Sequence, residues 1–231
     1  MHWRFFLPLI FLLGLPLTSC AYFPRGPEVA LTCEQITWLQ QQIGITTSPE
    51  TIRNSVRTAF SLPLEAVRVV HSAVDGTVMN SDEAEFVRWL DQRKLAFVIH
   101  LDAQGQVVRI DNSNMRTPGD NLLACLGQPV QYYSYAAWEE NGPHHRLHLF
   151  FPGRGVIAHG SDHWQGAYKD PIPAIDGKFP FYDLMIVKPQ PLEQLLAKGW
   201  GDYGPRILQE SKPWPGAWEK IEFAYKSSLE R

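Results

Sequence analysis

Five of the chain's eight histidines crowd between positions 144 and 163: His144, His145, His148, His159 and His163. Imidazole titrates near neutral pH and is the commonest metal ligand, so chemistry is sought here first. His144-x-x-x-His148 and His159-x-x-x-His163 would each share one face of a helix. The residues around them alternate like strands instead, over Arg146–Phe151 and Val156–His159. His148 then points away from Leu147, Leu149 and Phe151, and His144 and His145 fall at the turn before the strand. Zinc needs three or four converging ligands with outer support, and no HExxH occurs. A solvated hairpin is therefore expected, and no metal ligand and no cofactor is assigned. A surface metal-dependent enzyme using the His144–His163 region is the alternative. Gly160-Ser161-Asp162-His163 sets a serine, an acid and a histidine side by side, but a triad is made by geometry and not by adjacency. No catalytic residue is assigned. Glu139 and Glu140 are expected at a solvated strand end, and Tyr132, Tyr133 and Tyr135 in sheet packing.

A second group is aromatic. Trp164, Tyr168, Trp200, Tyr203, Trp214 and Trp218 lie in stretches rich in Gly and Pro. Exposed Trp and Tyr serve protein interfaces and sugar platforms, and buried ones cover a core where regular structure is lacking. Core cover is the leading reading. Trp164, Trp200, Tyr203, Trp214 and Trp218 are the candidates for a binding surface, including a carbohydrate-binding one.

Sulfur chemistry falls to three cysteines. Cys20 closes the stretch MHWRFFLPLIFLLGLPLTSC, with Arg4, an apolar run from Phe5 to about Leu15, and Leu17-Thr18-Ser19 before the thiol. A positive start, a short apolar middle and small residues before a cut site describe a secretory signal peptide. The run is too short to span a bilayer, which takes about 20 apolar residues. Its ending resembles the lipobox of bacterial lipoproteins: leucine, two small residues, then the cysteine that becomes the new N-terminus. The resemblance implies a signal peptide over 1–19, a diacylglyceryl thioether on Cys20, and palmitate-type acylation. Two or three acyl chains hold a protein to a membrane where one holds it only marginally. Cys33 and Cys125 then remain as an even pair in an oxidising compartment, open to a bridge or to two buried free thiols.

The elements that would position these groups follow in order. Residues 20–30, with Pro24, Gly26 and Pro27, suggest a tether. Leu31–Ile43 suits a first helix, and Thr47-Ser48-Pro49-Glu50 starts a second with Ile52, Val56, Ala59 and Phe60 on one face. Val67 to His71 is a strand, Asp75-Gly76 a turn and Ser81–Arg93 a helix. Leu95–Asp102 and Gln106–Asp111 form a hairpin. The pattern then restarts with a capped helix at Thr117-Pro118-Gly119-Asp120, stopped by Gly127-Gln128-Pro129. Strands follow over Val130–Trp138, Arg146–Phe151 and Val156–His159. Ser161–Pro180 is expected to be loop, Phe181–Lys188 a strand and Pro191–Lys198 a short helix. A tail without much regular structure completes the chain.

The order carried by Thr117–Asp120, Leu126–Pro129, Phe151–Gly155 and Val156–His159 resembles the helix-plus-antiparallel-sheet units of small outer-membrane assembly lipoproteins and of beta-lactamase inhibitory proteins. The resemblance spans roughly residues 46–160 and implies a protein-binding role without catalytic machinery.

The expectation is therefore an α+β fold with helices packed on an antiparallel sheet. Residues 31–231 are taken as one domain, readable as two tandem units, 46–112 and 115–160, with a wrapping tail over 161–231. The chain has 231 residues and a formal charge of −3, and nothing in it suggests the basic patch of a nucleic-acid binder, so no nucleic-acid partner is expected. The function expected is that of an extracytoplasmic lipoprotein, tethered to the bacterial cell membrane or outer membrane. It would bind or scaffold another envelope protein and not act as an enzyme.

Overall fold

A computed structural model describes residues 31–71, 96–113, 116–139, 142–166 and 170–226. The signal-like stretch, Cys20, the tether, the Asp75-Gly76 turn, the Ser81–Arg93 helix and Tyr168 lie outside the described residues.

Helix α1 (Cys33–Gln42) begins at a reciprocal cap. The Gln35 amide donates to Thr32 Oγ1 at 3.2 Å, and the Thr32 amide donates to Gln35 Oε1 at 2.9 Å. Ile36 and Leu39 are its buried face. In helix α2 (Pro49–Phe60) Ser48 caps the Thr51 amide and Pro49 takes the first turn, as its sequence predicts. Ile52 and Val56 are buried and Ala59 is exposed. Phe60 is half-buried against Phe97, with ring centroids 4.6 Å apart.

Helix α3 (Gly119–Leu126) starts differently from the sequence expectation. Thr117 does not cap it. Thr117 and Pro118 form a two-residue strand, and Thr117 Oγ1 is buried without a partner. Backbone does the capping: the Gly119 and Asp120 amides donate to the carbonyls of Phe179 and Gly177, each at 2.9 Å. Cys33 and Cys125 are bonded, with Cα atoms 4.9 Å apart, so the bridge ties α1 to α3 across 92 positions.

One mixed, mostly antiparallel sheet runs through the molecule. Its strands are β1 (Val67–His71), β2 (Phe97–Leu101), β3 (Val107–Asn112), β4 (Thr117–Pro118), β5 (Gln131–Glu139), β6 (Gly142–Phe151), β7 (Val156–His163), β8 (Pro180–Val187) and β9 (Lys212–Pro213). The spatial order is β1-β2-β3-β8-β7-β6-β5-β9, with β4 on β8. β1 and β2 are parallel, a departure from the antiparallel expectation, and the other pairs are antiparallel. The strands of the two expected runs, β1–β2–β3 after α2 and β5–β6–β7 after α3, lie in this one sheet. β8, from the last third of the chain, joins them.

Alternation along the strands separates two faces. On one, Phe97, Ile99, Leu147, Leu149, Phe151, Leu184 and Ile186 pack with α1, α2 and α3 in the main core. On the other, Tyr133, Phe150, Ile157, Met185 and Val187 meet Leu195 and Leu196 of α4 (Leu192–Trp200) and Ile207 of α5 (Gly204–Glu210). The tail is thus more regular than expected. It supplies α5 and β9, and its Tyr225 bridges to Ala136, so it lines the β5 edge that would otherwise be open.

Candidate functional site

Both histidine-bearing strands are longer than their hydrophobic cores suggested. β6 starts at Gly142 and β7 ends at His163, which moves His144 and His145 from a turn into a strand and Ser161–His163 from a loop into one. The register then decides who meets whom: His144 faces His163, His145 faces Asp162, and His148 faces His159. Ser161 and His163 share a strand face and Asp162 points opposite, so the Ser-Asp-His run cannot converge.

The α4–α5 face carries a continuous cross-strand row. Tyr133 of β5 pairs with His148 of β6, His148 with His159 of β7, and His159 with Asp183 of β8. The His148 and His159 rings are stacked, 4.5 Å apart and 15° from parallel. Tyr133 lies on the other side of His148 at 5.7 Å and 29°. Trp200, at the end of α4, closes the sandwich edge-on at 5.0 Å. His148 is 8% exposed, and its Nδ1 is buried without a hydrogen-bond partner. Burial, with the His159 ring and the Arg146 guanidinium nearby, holds its pKa well below the usual imidazole value. His148 is therefore neutral at pH 7.

The ends of the row are polar. His159 Nδ1 lies 3.1 Å from Asp183 Oδ2, which favours the tautomer with the proton on Nδ1 and leaves Nε2 as the basic nitrogen. Lys226 Nζ donates to the Tyr133 hydroxyl at 2.9 Å and sits 4.8 Å from its ring centroid. Lys226 also pairs with Glu210, which accepts from Arg206 Nε at 2.8 Å. Hydrogen bonds from Arg206 and then Lys226 lower the Glu210 pKa. Burial pulls the Lys226 pKa down, but its bonds to Glu210 and Tyr133 outweigh that and leave it raised.

His145 belongs to the opposite face. Its Nε2–H donates to the Pro173 carbonyl at 2.9 Å, and its ring packs against Trp164 at 4.3 Å and Phe223 at 4.5 Å. Burial lowers its pKa. It lines a shallow cleft of about 250 Å³ with Asp162, Trp164, Asp176 and Lys178. His144 and His163 meet edge-on at 5.1 Å. The cluster is thus divided among separate settings. Imidazole lone pairs lie in the ring plane, so the stacked His148 and His159 cannot aim at one ion between them. Among the described residues no three His, Cys, Asp or Glu side chains are arranged to hold a metal.

The five aromatic binding candidates do not make one surface. Trp214 and Trp218 pack into the main core, 5.1 Å apart, with Trp218 Nε1–H donating to Asp120 Oδ1 at 2.7 Å. Trp200 covers His148 and Phe150 on the opposite face, and Trp164 covers His145. Tyr203 is exposed, at 64%.

Sequence reasoning passed over Asp183, Lys226 and Glu210; apart from the Arg206–Glu210 pair on α5, their partners are 16 or more positions away. It also missed a buried cluster under α4. His100 Nε2 is 2.9 Å from Asp111 Oδ2, Arg109 Nε donates to Asp111 Oδ1 at 2.8 Å, and Arg109 Nη1 donates to the Lys198 carbonyl at 2.8 Å. The only local signal was Arg109 and Asp111 two positions apart on β3, beside His100 as the one polar residue of β2. Comparison with family models, curated proteins and solved structures finds no match.

Proposed function

We propose that this chain is a lipid-tethered, non-enzymatic binding or scaffold protein of the bacterial cell envelope. The observation that carries the reading is the Cys33–Cys125 bridge. Structural disulfides persist in oxidising, extracytoplasmic compartments. With those two thiols joined, Cys20 is the one cysteine left of three, and it ends the lipobox-like sequence. Binding is favoured over catalysis because the histidines are engaged in packing: His148 between rings, His145 under Trp164, His159 held by Asp183. The partner expected is another envelope protein.

Feeding cells an alkyne analogue of palmitate tests the tether. The wild-type chain should take up label and sediment with membranes, and Cys20→Ala should do neither. Equal labelling of the two chains, or none in either, would refute it.

A further inference from the structure

The row Tyr133–His148–His159–Asp183 joins the sheet to the α4–α5 pair, and the joint is built around a buried histidine that lacks a hydrogen-bond partner at Nδ1. His148 lies between two rings with Trp200 of α4 against its edge. Its Nδ1 already lacks a partner. A protonated imidazole has two N–H donors to satisfy and a positive charge to place. The charged and titratable groups around it offer little. On β6 stands Arg146, a like charge. From β7 comes His159, whose nearest acid, Asp183 of β8, is turned to His159 Nδ1. From β5 comes Tyr133, whose hydroxyl is bonded to Lys226, itself paired with Glu210 of α5, which also binds Arg206. α4 presents the uncharged ring of Trp200. Opening of the α4–α5 pair would let water reach the imidazolium. It would also uncover Tyr133, Phe150, Ile157, Met185 and Val187.

We infer that His148 is an acid-sensitive latch: its neutral ring keeps α4–α5 docked on the sheet, and its protonation releases them and exposes an apolar sheet face. The sign follows from linkage. The docked form resists the proton, because burial lowers the His148 pKa, and the open form accepts it near the ordinary value of 6.5. Docking is therefore complete above pH 6.5 and weakens about tenfold per pH unit below it, as one proton requires. Glu210 adds a separate loss only below the usual carboxylate range, since its pKa is lowered in the fold. His145, whose pKa burial also lowers, adds its own loss below the ordinary imidazole value, but on the opposite sheet face, so the His148 variants separate the two.

The test is amide hydrogen exchange on the full-length protein between pH 7.5 and 5, as protection factors corrected for intrinsic rate. The latch predicts that protection in Leu192–Glu210 falls about tenfold per pH unit below 6.5. Amides of Leu147, Leu149 and Ala158, on the same sheet, should hold. His148→Phe keeps a ring in the stack without a titrating nitrogen and should flatten the profile, and His148→Gln serves if the phenylalanine variant does not fold. A flat wild-type profile in 192–210, equal losses in sheet and helices, or an unchanged slope in a folded His148 variant would each overturn the latch.

Discussion

Asp120 shows how a single residue can hold distant parts of a fold together. Its carboxylate accepts the Trp218 indole N–H, and its amide donates to the Gly177 carbonyl. Both neighbours must come close. A Cβ on Gly119 would fall 2.4 Å from the Trp218 ring, nearer than real Cβ contacts allow. Trp218→Phe keeps the apolar ring but removes the donor, and should lower the unfolding free energy by about 1.5–3 kcal/mol, the usual worth of a hydrogen bond to a charged group. Urea titration reads this as a lower midpoint at an unchanged slope. The position of Asp120 at a helix start was legible in sequence, because an acid there suits the dipole. Its partner was not, because it lies 98 positions away. The same holds for His148. Its place on the leucine-free side of a strand followed from alternation, but the stack with His159 and Trp200 depends on register and on a helix from the tail.

At the scale of elements, β3 adds a polar tie to the apolar packing of α4. Arg109 reaches from the sheet to the Lys198 carbonyl and so serves an orphan acceptor in the last turn of α4, while also pairing with Asp111. Replacing Arg109 with Met would uncap the helix and leave the Asp111 carboxylate with His100 in a buried setting. The expected loss is about 3–5 kcal/mol, the range for removing one partner of a buried ion pair. Thr32→Ala, at the exposed cap of α1, should cost only about 1 kcal/mol. Chemical denaturation of the two variants side by side checks the contrast. Where local rules act alone, the sequence was readable: Ser48-Pro49 starts α2, and Phe97, Ile99 and Leu101 face inward on β2. Where tertiary contacts compete, it was not. Thr117 is drawn into strand pairing with Phe181 and loses its capping role. β7 runs on through polar Ser161–His163 because β6 continues beside it.

Across the whole molecule, two long-range ties close the fold. The tail bonds back along β5, with the Trp214 amide donating to the Val130 carbonyl and the Lys226 amide to that of Ala136. The Cys33–Cys125 bridge binds the first helix to the third. Closing a loop of this length contributes about 4–5 kcal/mol on the chain-entropy view. Converting both cysteines to Ser should therefore lower stability by about that much, visible as a lower denaturation midpoint, and reductant should destabilise the wild type in the same way. The α+β class was legible from the order of elements. The insertion of β8 between β3 and β7 was not, since no local pattern encodes which strands become neighbours. The tether is the claim on which the functional account turns, and intact-mass analysis of the mature protein extracted from bacterial membranes tests it most directly. The account predicts a polypeptide that starts at Cys20 and carries a diacylglyceryl group on that sulfur. A lipid-free polypeptide, or one that starts at another residue, would contradict it.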